Sequence, residues 1–313
     1  MKHRTALIFP GQGSQAVSMG KDLYENFAVA REVFKTVNEV LSLDLAKIMF
    51  EGPADELTKT QNAQPALMAV SIAIIQILEK EFGKKVGDLC SFVAGHSLGE
   101  YSALCAAGAL SLEDAAKLLQ IRGNAMAACG QKTQGAMAAI LGVEIAVAEE
   151  IAREAAAGEV CQVANDNSVG QIVLSGSKSA IERSLEIAKA KGAKRAIMLP
   201  VSGAFHSALM SDAAKAMEEA LASANIKTPI VPLIANVTAK KTSSPEEIKN
   251  LLVQQITGSV RWRETMLTLE QSAIEEVIEI GSGKVLCGLV GRTCPNMRSR
   301  SIQNIEDIKN FVV

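Results

Sequence analysis

The chain has 313 residues, with 32 basic and 34 acidic side chains and a formal net charge of −2. No basic excess points to nucleic acid, and aromatics at 4% are too few for base-stacking platforms. Six cysteines form no Cys-x-x-Cys pair and only three histidines accompany them, which argues against a structural zinc site or a disulfide framework.

Hydrophobic residues make up 48% of the chain, enough for one large domain and a smaller one. The cysteines read as small buried hydrophobes in a reducing cytoplasm. The N-terminal apolar run, Thr5 to Phe9, is too short for a signal-peptide core. Leu7-Ile8-Phe9, closed by Pro10-Gly11-Gln12-Gly13, predicts a buried parallel strand ending in a loop. Helical spacing follows over about 19–40 and 65–82. The longest apolar stretch, Ala66 to Leu78, carries Ser71 and Gln76 and falls short of a membrane span. Leu89 to Ala94 predicts a second strand and Glu100 to Gly108 a small-residue helix. Ser111-x-x-Asp114 is an N-cap signature for the next helix. This alternation argues an α/β fold with a parallel sheet.

The middle of the chain changes character. Gly135–Leu141 reads as a strand, Glu144–Ala157 as a helix, and Val160–Ala164 and Ile172–Ser175 as strands about a polar turn, Asn165–Gly170. A helix over Ser179–Lys191 and a strand over Arg195–Leu199 complete a β-α-β-β-α-β order, that of a ferredoxin-like unit. The expectation is an inserted subdomain at 131–200 within a main domain built from 1–130 and 201–313. Helices near 207–223, 245–257 and 260–272 and strands near 230–235 and 276–280 continue the α/β pattern.

Gly95-His96-Ser97-Leu98-Gly99 lies between the second strand and its helix. A Gly-x-Ser-x-Gly turn in that context forms a tight elbow with the serine hydroxyl exposed. Gly95 and Gly99 lack a Cβ, so strand and helix can approach closely. The Leu98 N–H then sits at a helix N-terminus, aimed where an oxyanion would form. The Gln12 N–H, after the neighbouring strand, is the natural second donor. A serine nucleophile needs a base. His3 lies in a charged N-terminal tip, and His96 adjoins Ser97 on the turn and is expected to point into the protein. His206, where the inserted segment returns to the main domain, remains. No Asp or Glu stands out as its partner, so a Ser-His dyad oriented by a backbone or amide oxygen is expected. Arg122 interrupts an apolar helix face formed by Ala115, Leu118, Leu119 and Met126. Two readings stand equal: a guanidinium snorkelling to water, or a planar fork for a carboxylate. Gln64 and Gln255 lie near helix ends, and surface placement is expected for both.

Together these residues resemble the malonyl-CoA:acyl carrier protein transacylases of fatty acid synthesis. The resemblance is carried in family order by Phe9-Pro10-Gly11-Gln12-Gly13-Ser14-Gln15, Gln64-Pro65-Ala66, Gly95 to Tyr101, Arg122-Gly123, Asn167-Ser168, Gly176, Gly203 to Ser207, Gln255 with Val260-Arg261-Trp262, and Glu279 to Leu286. It implies an α/β-hydrolase-like core with a ferredoxin-like insertion. It implies Ser97 as nucleophile, His206 as base, and the Gln255 main-chain oxygen orienting the histidine. Gln12 and Leu98 N–H groups would form the oxyanion hole. Arg122 would hold the malonyl carboxylate, with Gln64 and Asn167 as further substrate-binding positions. Ala204-Phe205-His206-Ser207 is similar to the form found in malonyl-selective acyltransferase domains. The implied partners are malonyl-CoA and acyl carrier protein, with no metal, cofactor, nucleic acid or membrane, for a cytoplasmic monomer. Carrier protein is typically acidic. Lys191, Lys194 and Arg195, and the pair Lys240-Lys241, are candidate basic contacts, though each also reads as a solvated cluster. A thioesterase with the same nucleophile, and a silent carrier-binding subunit, are the competing readings.

Overall fold

The computed structural model describes residues 3–312. Its strands are β1 (Thr5–Phe9), β2 (Phe92–Gly95), β3 (Gly135–Leu141), β4 (Cys161–Ser168), β5 (Gln171–Ser177), β6 (Arg195–Met198), β7 (Leu233–Ile234), β8 (Lys241–Thr242), β9 (Glu276–Ile280) and β10 (Arg298–Ile302). They form a six-stranded sheet ordered β10-β9-β1-β2-β7-β8 and a four-stranded sheet ordered β4-β5-β3-β6. In the larger sheet every pairing is parallel except β7 with β8. The smaller sheet is antiparallel throughout.

The continuous apolar run of β1 follows from its burial on both faces. Leu7 and Phe9 enter the large core with the helices Ala28–Leu41, Thr60–Lys80 and Leu112–Lys132. Ala6 and Ile8 point the other way, into a second core with Phe92, Ala94, Trp262 and Leu286. Period-two alternation also divides the small sheet. Ala138, Ile140, Ile172 and Leu174 face the sheet's own helices, Ile145–Ala156 and Lys178–Ala190. Met137 and Val173 turn toward the large core.

Several expectations are corrected. The single helix expected over 19–40 is two, Lys21–Asn26 and Ala28–Leu41, divided by Phe27 in extended conformation. The helix expected from 65 begins at Thr60 and runs to Lys80, with Pro65 inside it. At 21 residues it has the length and hydropathy of a membrane span, but 89% of its apolar window is buried in the core. The apolar run from Leu89 is strand only from Phe92, because Val86–Leu89 is a short helix. The polar turn expected at Asn165–Gly170 contracts, and β4 continues through Ser168. Its polar side chains find partners there: Asp166 pairs with Arg263 and Asn167 with a ring nitrogen of His96. The strand expected over 230–235 shrinks to Leu233–Ile234. The C-terminal stretch, given no elements from the sequence, holds helices Val285–Thr293 and Ile305–Val312 with β10 between them.

Candidate active site

The elbow forms where β2 ends. A Cβ on Gly95 would lie 1.9 Å from the Gly99 carbonyl, and one on Gly99 2.3 Å from the Phe9 carbonyl oxygen. Only paired glycines let the helix Gly99–Ala106 start this close to the sheet. Ser97 is left at φ 55°, in the left-handed region. That conformation is unfavourable by about 1–2 kcal/mol for a residue with a Cβ. Its amide is held by Asn236 Oδ1 at 2.8 Å, and Asn236 Nδ2 donates to the Gly95 carbonyl at 2.7 Å.

Ser97 Oγ lies 2.8 Å from His206 Nε2, and His206 Nδ1 lies 2.8 Å from the Gln255 main-chain oxygen. A carbonyl only accepts, so Nδ1 carries the proton and Nε2 presents its lone pair to the serine hydroxyl. His206 is also at positive φ, 56°, and is buried. Burial, reinforced by the nearby Arg122 charge, pushes its imidazole down to about 3. It is therefore neutral and proton-free at Nε2.

Of the two readings of Arg122, the buried one holds: it is 1% exposed. It donates to Gln64 Oε1 at 2.6 Å, Gln255 Oε1 at 2.8 Å and Ser97 Oγ at 3.0 Å. Burial lowers its pKa, yet a guanidinium remains charged. All three partners are neutral, which leaves a buried cation without a carboxylate in contact. The expected surface placement of the glutamines is overturned: Gln64 is 1% and Gln255 0% exposed. They are buried because the guanidinium satisfies their carbonyls, and because Gln64 Nε2 reaches Thr60 Oγ1 at 2.8 Å. His96 departs from expectation in part. Its ring points inward, 5.5 Å from the Trp262 ring and with Nε2 2.8 Å from Asn167 Oδ1, but the residue also lines the cavity.

Ser97, His206, Arg122, Gln64, Asn167, Gln12 and Leu98 all line one cavity of ≈ 390 Å³ between the two sheets. That is the size class of a small-molecule site. The small sheet contributes Met137 and Val173 to its wall, and the segment after β6 contributes Leu199, Pro200 and Val201. The backbone amides of Gln12 and Leu98 donate to no acceptor among the described residues. Gln255 does not line the cavity. It stands behind it and links His206, Arg122 and the elbow, donating from Nε2 to the Ser97 carbonyl at 3.0 Å.

Two site residues escape the sequence reading. Asn236, which pins the Ser97 amide, follows the apolar Leu233-Ile234-Ala235 run at the carboxyl end of a parallel strand, where ligand sites of open α/β sheets gather. That position was the available signal. Glu100 follows the elbow directly and is 1% exposed. Burial pushes its carboxyl up to about 7, against the pull of the Gln255 amide, the Asn236 backbone and Arg122. Of the candidate basic contacts, Lys191 is already engaged, by Glu150 at 3.5 Å and Glu154 at 3.3 Å. No group of histidine, cysteine and acidic side chains suited to a metal occurs among the described residues.

A nucleophile elbow, a neutral histidine and a buried guanidinium in one cavity are the parts of an acyl-transfer site, and the chain belongs to the family of acyl transferase domains, whose model matches residues 6–309. It is 43% identical over 307 residues to the malonyl CoA-acyl carrier protein transacylase of Bacillus subtilis, covering 98% of this chain and 95% of that one. An acyl-carrier-protein S-malonyltransferase from Bartonella henselae superposes with a TM-score of 0.95 at 53% identity, over 100% of this chain and 98% of the other. A malonyl-transacylase solved in complex with its type II PKS acyl-carrier protein superposes at 0.94 with 37% identity, over 98% of each chain.

Proposed function

We propose that this chain transfers the malonyl group of malonyl-CoA to the phosphopantetheine thiol of acyl carrier protein through a malonyl-serine intermediate, supplying fatty acid synthesis. The observation that carries the reading is the 3.0 Å contact between Arg122 and the Ser97 hydroxyl. A carboxylate held on that guanidinium brings a thioester one methylene away within reach of Ser97. The names of the relatives support the same substrates and acceptor.

In the first half-reaction Ser97 Oγ attacks the thioester carbonyl and His206 Nε2 takes its proton. The Gln12 and Leu98 amides stabilise the tetrahedral oxyanion, a contribution of about 10²–10³ in rate per donor. The C–S bond breaks, His206 returns the proton to the departing thiolate, and a malonyl ester remains on Ser97. In the second half-reaction the carrier thiol gives its proton to His206 and attacks that ester, the bond from the acyl carbon to Ser97 Oγ breaks, and His206 returns the proton to Ser97 Oγ. Gln255 holds His206 in the tautomer both steps need, and Gln64 and Asn167 shape the acyl end. The chemistry requires no metal or cofactor.

We read the larger sheet with its helices, 1–130 and 201–313, as an α/β-hydrolase-like catalytic domain. We read 131–200 as a ferredoxin-like insertion, supported by the β4-β5-β3-β6 order. We place the protein in the cytoplasm as a monomer, binding neither nucleic acid nor membrane. The docking face for an acidic carrier falls to Lys194 and Arg195, or to Lys240 and Lys241, none of which is in an ion pair among the described residues.

The test is intact mass after mixing with malonyl-CoA. A stable malonyl adduct, lost in Ser97→Ala and discharged by holo acyl carrier protein, is the expected result. Free malonate without an adduct would make the chain a thioesterase, and no reaction at all a silent binding subunit.

A further inference from the structure

The mechanism leaves one buried acid beside the site unused. Glu100 stands on the first turn of the helix that begins at the elbow and is closed off from solvent. Its Oε2 accepts from Gln255 Nε2 at 2.5 Å, while its Oε1 has no hydrogen-bond partner among the described residues. The opposite end of the same amide, Gln255 Oε1, accepts from Arg122. The amide orientation is forced at both ends, because Arg122 only donates and the Ser97 carbonyl only accepts. Gln255 is therefore a one-residue bridge between a carboxyl and a guanidinium. A buried guanidinium with only neutral contacts is costly unless a negative charge lies close by.

We propose that Glu100 is the resident counter-charge of Arg122, coupled to it through the Gln255 amide, and that it competes with the substrate's free carboxylate for that guanidinium. The inference rests on the reading of Arg122 as the carboxylate holder. In the free enzyme the pair balances. When a substrate carboxylate settles on Arg122, two negative groups share one cation in a poorly solvated site, and their repulsion weakens binding. Glu100 is a positioning and charge-balancing residue and does not touch the acyl group. It sets how tightly the site holds a diacid, and so how readily it releases one to the next acceptor.

Glu100→Gln keeps the shape and the acceptor for Gln255 Nε2 and removes only the charge. At pH 8, where Glu100 is ionised, the variant should lower KM for malonyl-CoA about tenfold, and leave KM for acetyl-CoA within about twofold, because acetyl brings no charge. In an Arg122→Ala background the same change should leave KM for malonyl-CoA within about twofold. Equal KM changes for malonyl-CoA and acetyl-CoA, or an effect that persists without Arg122, would overturn the proposal. If Arg122→Ala leaves KM for malonyl-CoA unchanged, the carboxylate-holder reading falls. If Arg122→Ala raises it while Glu100→Gln does nothing, only the counter-charge falls.

A second measurement needs no variant. Moving an acyl group from a thioester to a hydroxyl releases a neutral thiol and exchanges no net proton, so uptake on forming the acyl-enzyme reports the protein's own groups. The titratable and charged groups that face Glu100 are Arg122 and Tyr101, and beyond Arg122 lie His206 and then His96. Burial pushes Tyr101 up and both imidazoles down, which leaves the carboxyl as the group that titrates near neutrality. At pH 7 malonyl-CoA should draw up a measurable fraction of a proton per enzyme and acetyl-CoA none. Zero uptake, or equal uptake with both, would count against Glu100.

Discussion

Arg122 acts on both ends of the chemistry. The proposed function gives its charge a carboxylate to hold, and burial together with that same charge pushes His206 down to about 3. Arg122→Ala should cut kcat/KM for malonyl-CoA by about 10²–10³, the loss typical of truncating one side of a buried charge pair, and should raise relative tolerance of uncharged acyl groups. Malonyl transfer at the wild-type rate would remove the carboxylate assignment. The sign of the pH effect follows from the same contact. An imidazole with a depressed pKa stays an acceptor as pH falls through 6.5, so inactivation of Ser97 by a neutral serine reagent should be flat from about pH 8 to about pH 5. In Arg122→Ala the acid limb should move upward toward the ordinary histidine range. At this scale the sequence was informative for Ser97 and His206, because a nucleophile and so few histidines leave little choice. It was uninformative for Gln64 and Gln255. An amide carries no hydrophobic signal of burial, and only the guanidinium, itself ambiguous from spacing, explains why these two are inside.

Helix placement brings the guanidinium to the serine. Thr60–Lys80 and Leu112–Lys132 cross where Gly123 faces Gln61, and a Cβ at 123 would lie 2.6 Å from Gln61 Cα and 3.1 Å from the Thr60 carbonyl oxygen. That close crossing sets Arg122, one residue earlier, against Gln64, one turn later. Gly123→Ala should separate the helices at a cost of about 1–3 kcal/mol, the range for overpacking. Equilibrium denaturation should report that loss. The KM for malonyl-CoA should rise while serine-reagent reactivity stays near wild type, since the elbow lies on a different helix. A fall in both by the same factor would mean the crossing supports the fold and not the clamp. Element existence was legible wherever apolar periodicity was strong, as in β1, the elbow strand and the Ser111-capped helix, whose cap bond from the Asp114 amide to Ser111 Oγ is 3.0 Å. It failed for β10, whose Arg298-Ser299-Arg300-Ser301-Ile302 sequence is that of an exposed edge strand with little apolar pattern to read. It failed at β4 for a related reason: polar residues that look like a turn are paired across the junction between the two sheets.

That junction makes the cavity, because part of its wall, including Met137 and Val173, belongs to one sheet and Ser97 follows a strand of the other. β4 is tied to the main body by backbone as well as side chain. The Asp166 amide donates to the Val260 carbonyl at 3.0 Å, the Val260 amide to the Ala164 carbonyl at 2.8 Å, and the Asp166 carboxylate meets Arg263 at 2.8 Å. The β-α-β-β-α-β order of this segment was legible in the sequence, whereas its docking was not, since the contacts join residues about 95 apart in sequence that no local pattern relates. Burial raises the Asp166 carboxyl despite the arginine beside it, so without Arg263 the buried acid would protonate or draw in water. Its partner is partly exposed, which moderates the loss to about 1–3 kcal/mol. Arg263→Ala should therefore loosen the junction rather than unfold the chain. Hydrogen exchange should quicken in β4 and around Val260 while β1, buried on both faces, stays protected. Ser97 should keep its reactivity toward a small reagent, because the elbow, His206 and Gln255 all belong to the main body. The acyl-enzyme should be the species that suffers: with one wall of the cavity mobile, water competes with the carrier thiol, and the malonyl ester should hydrolyse faster than in wild type. Faster exchange spread evenly over both sheets would show that Asp166 and Arg263 stabilise the whole molecule and have no separate part in closing the cavity.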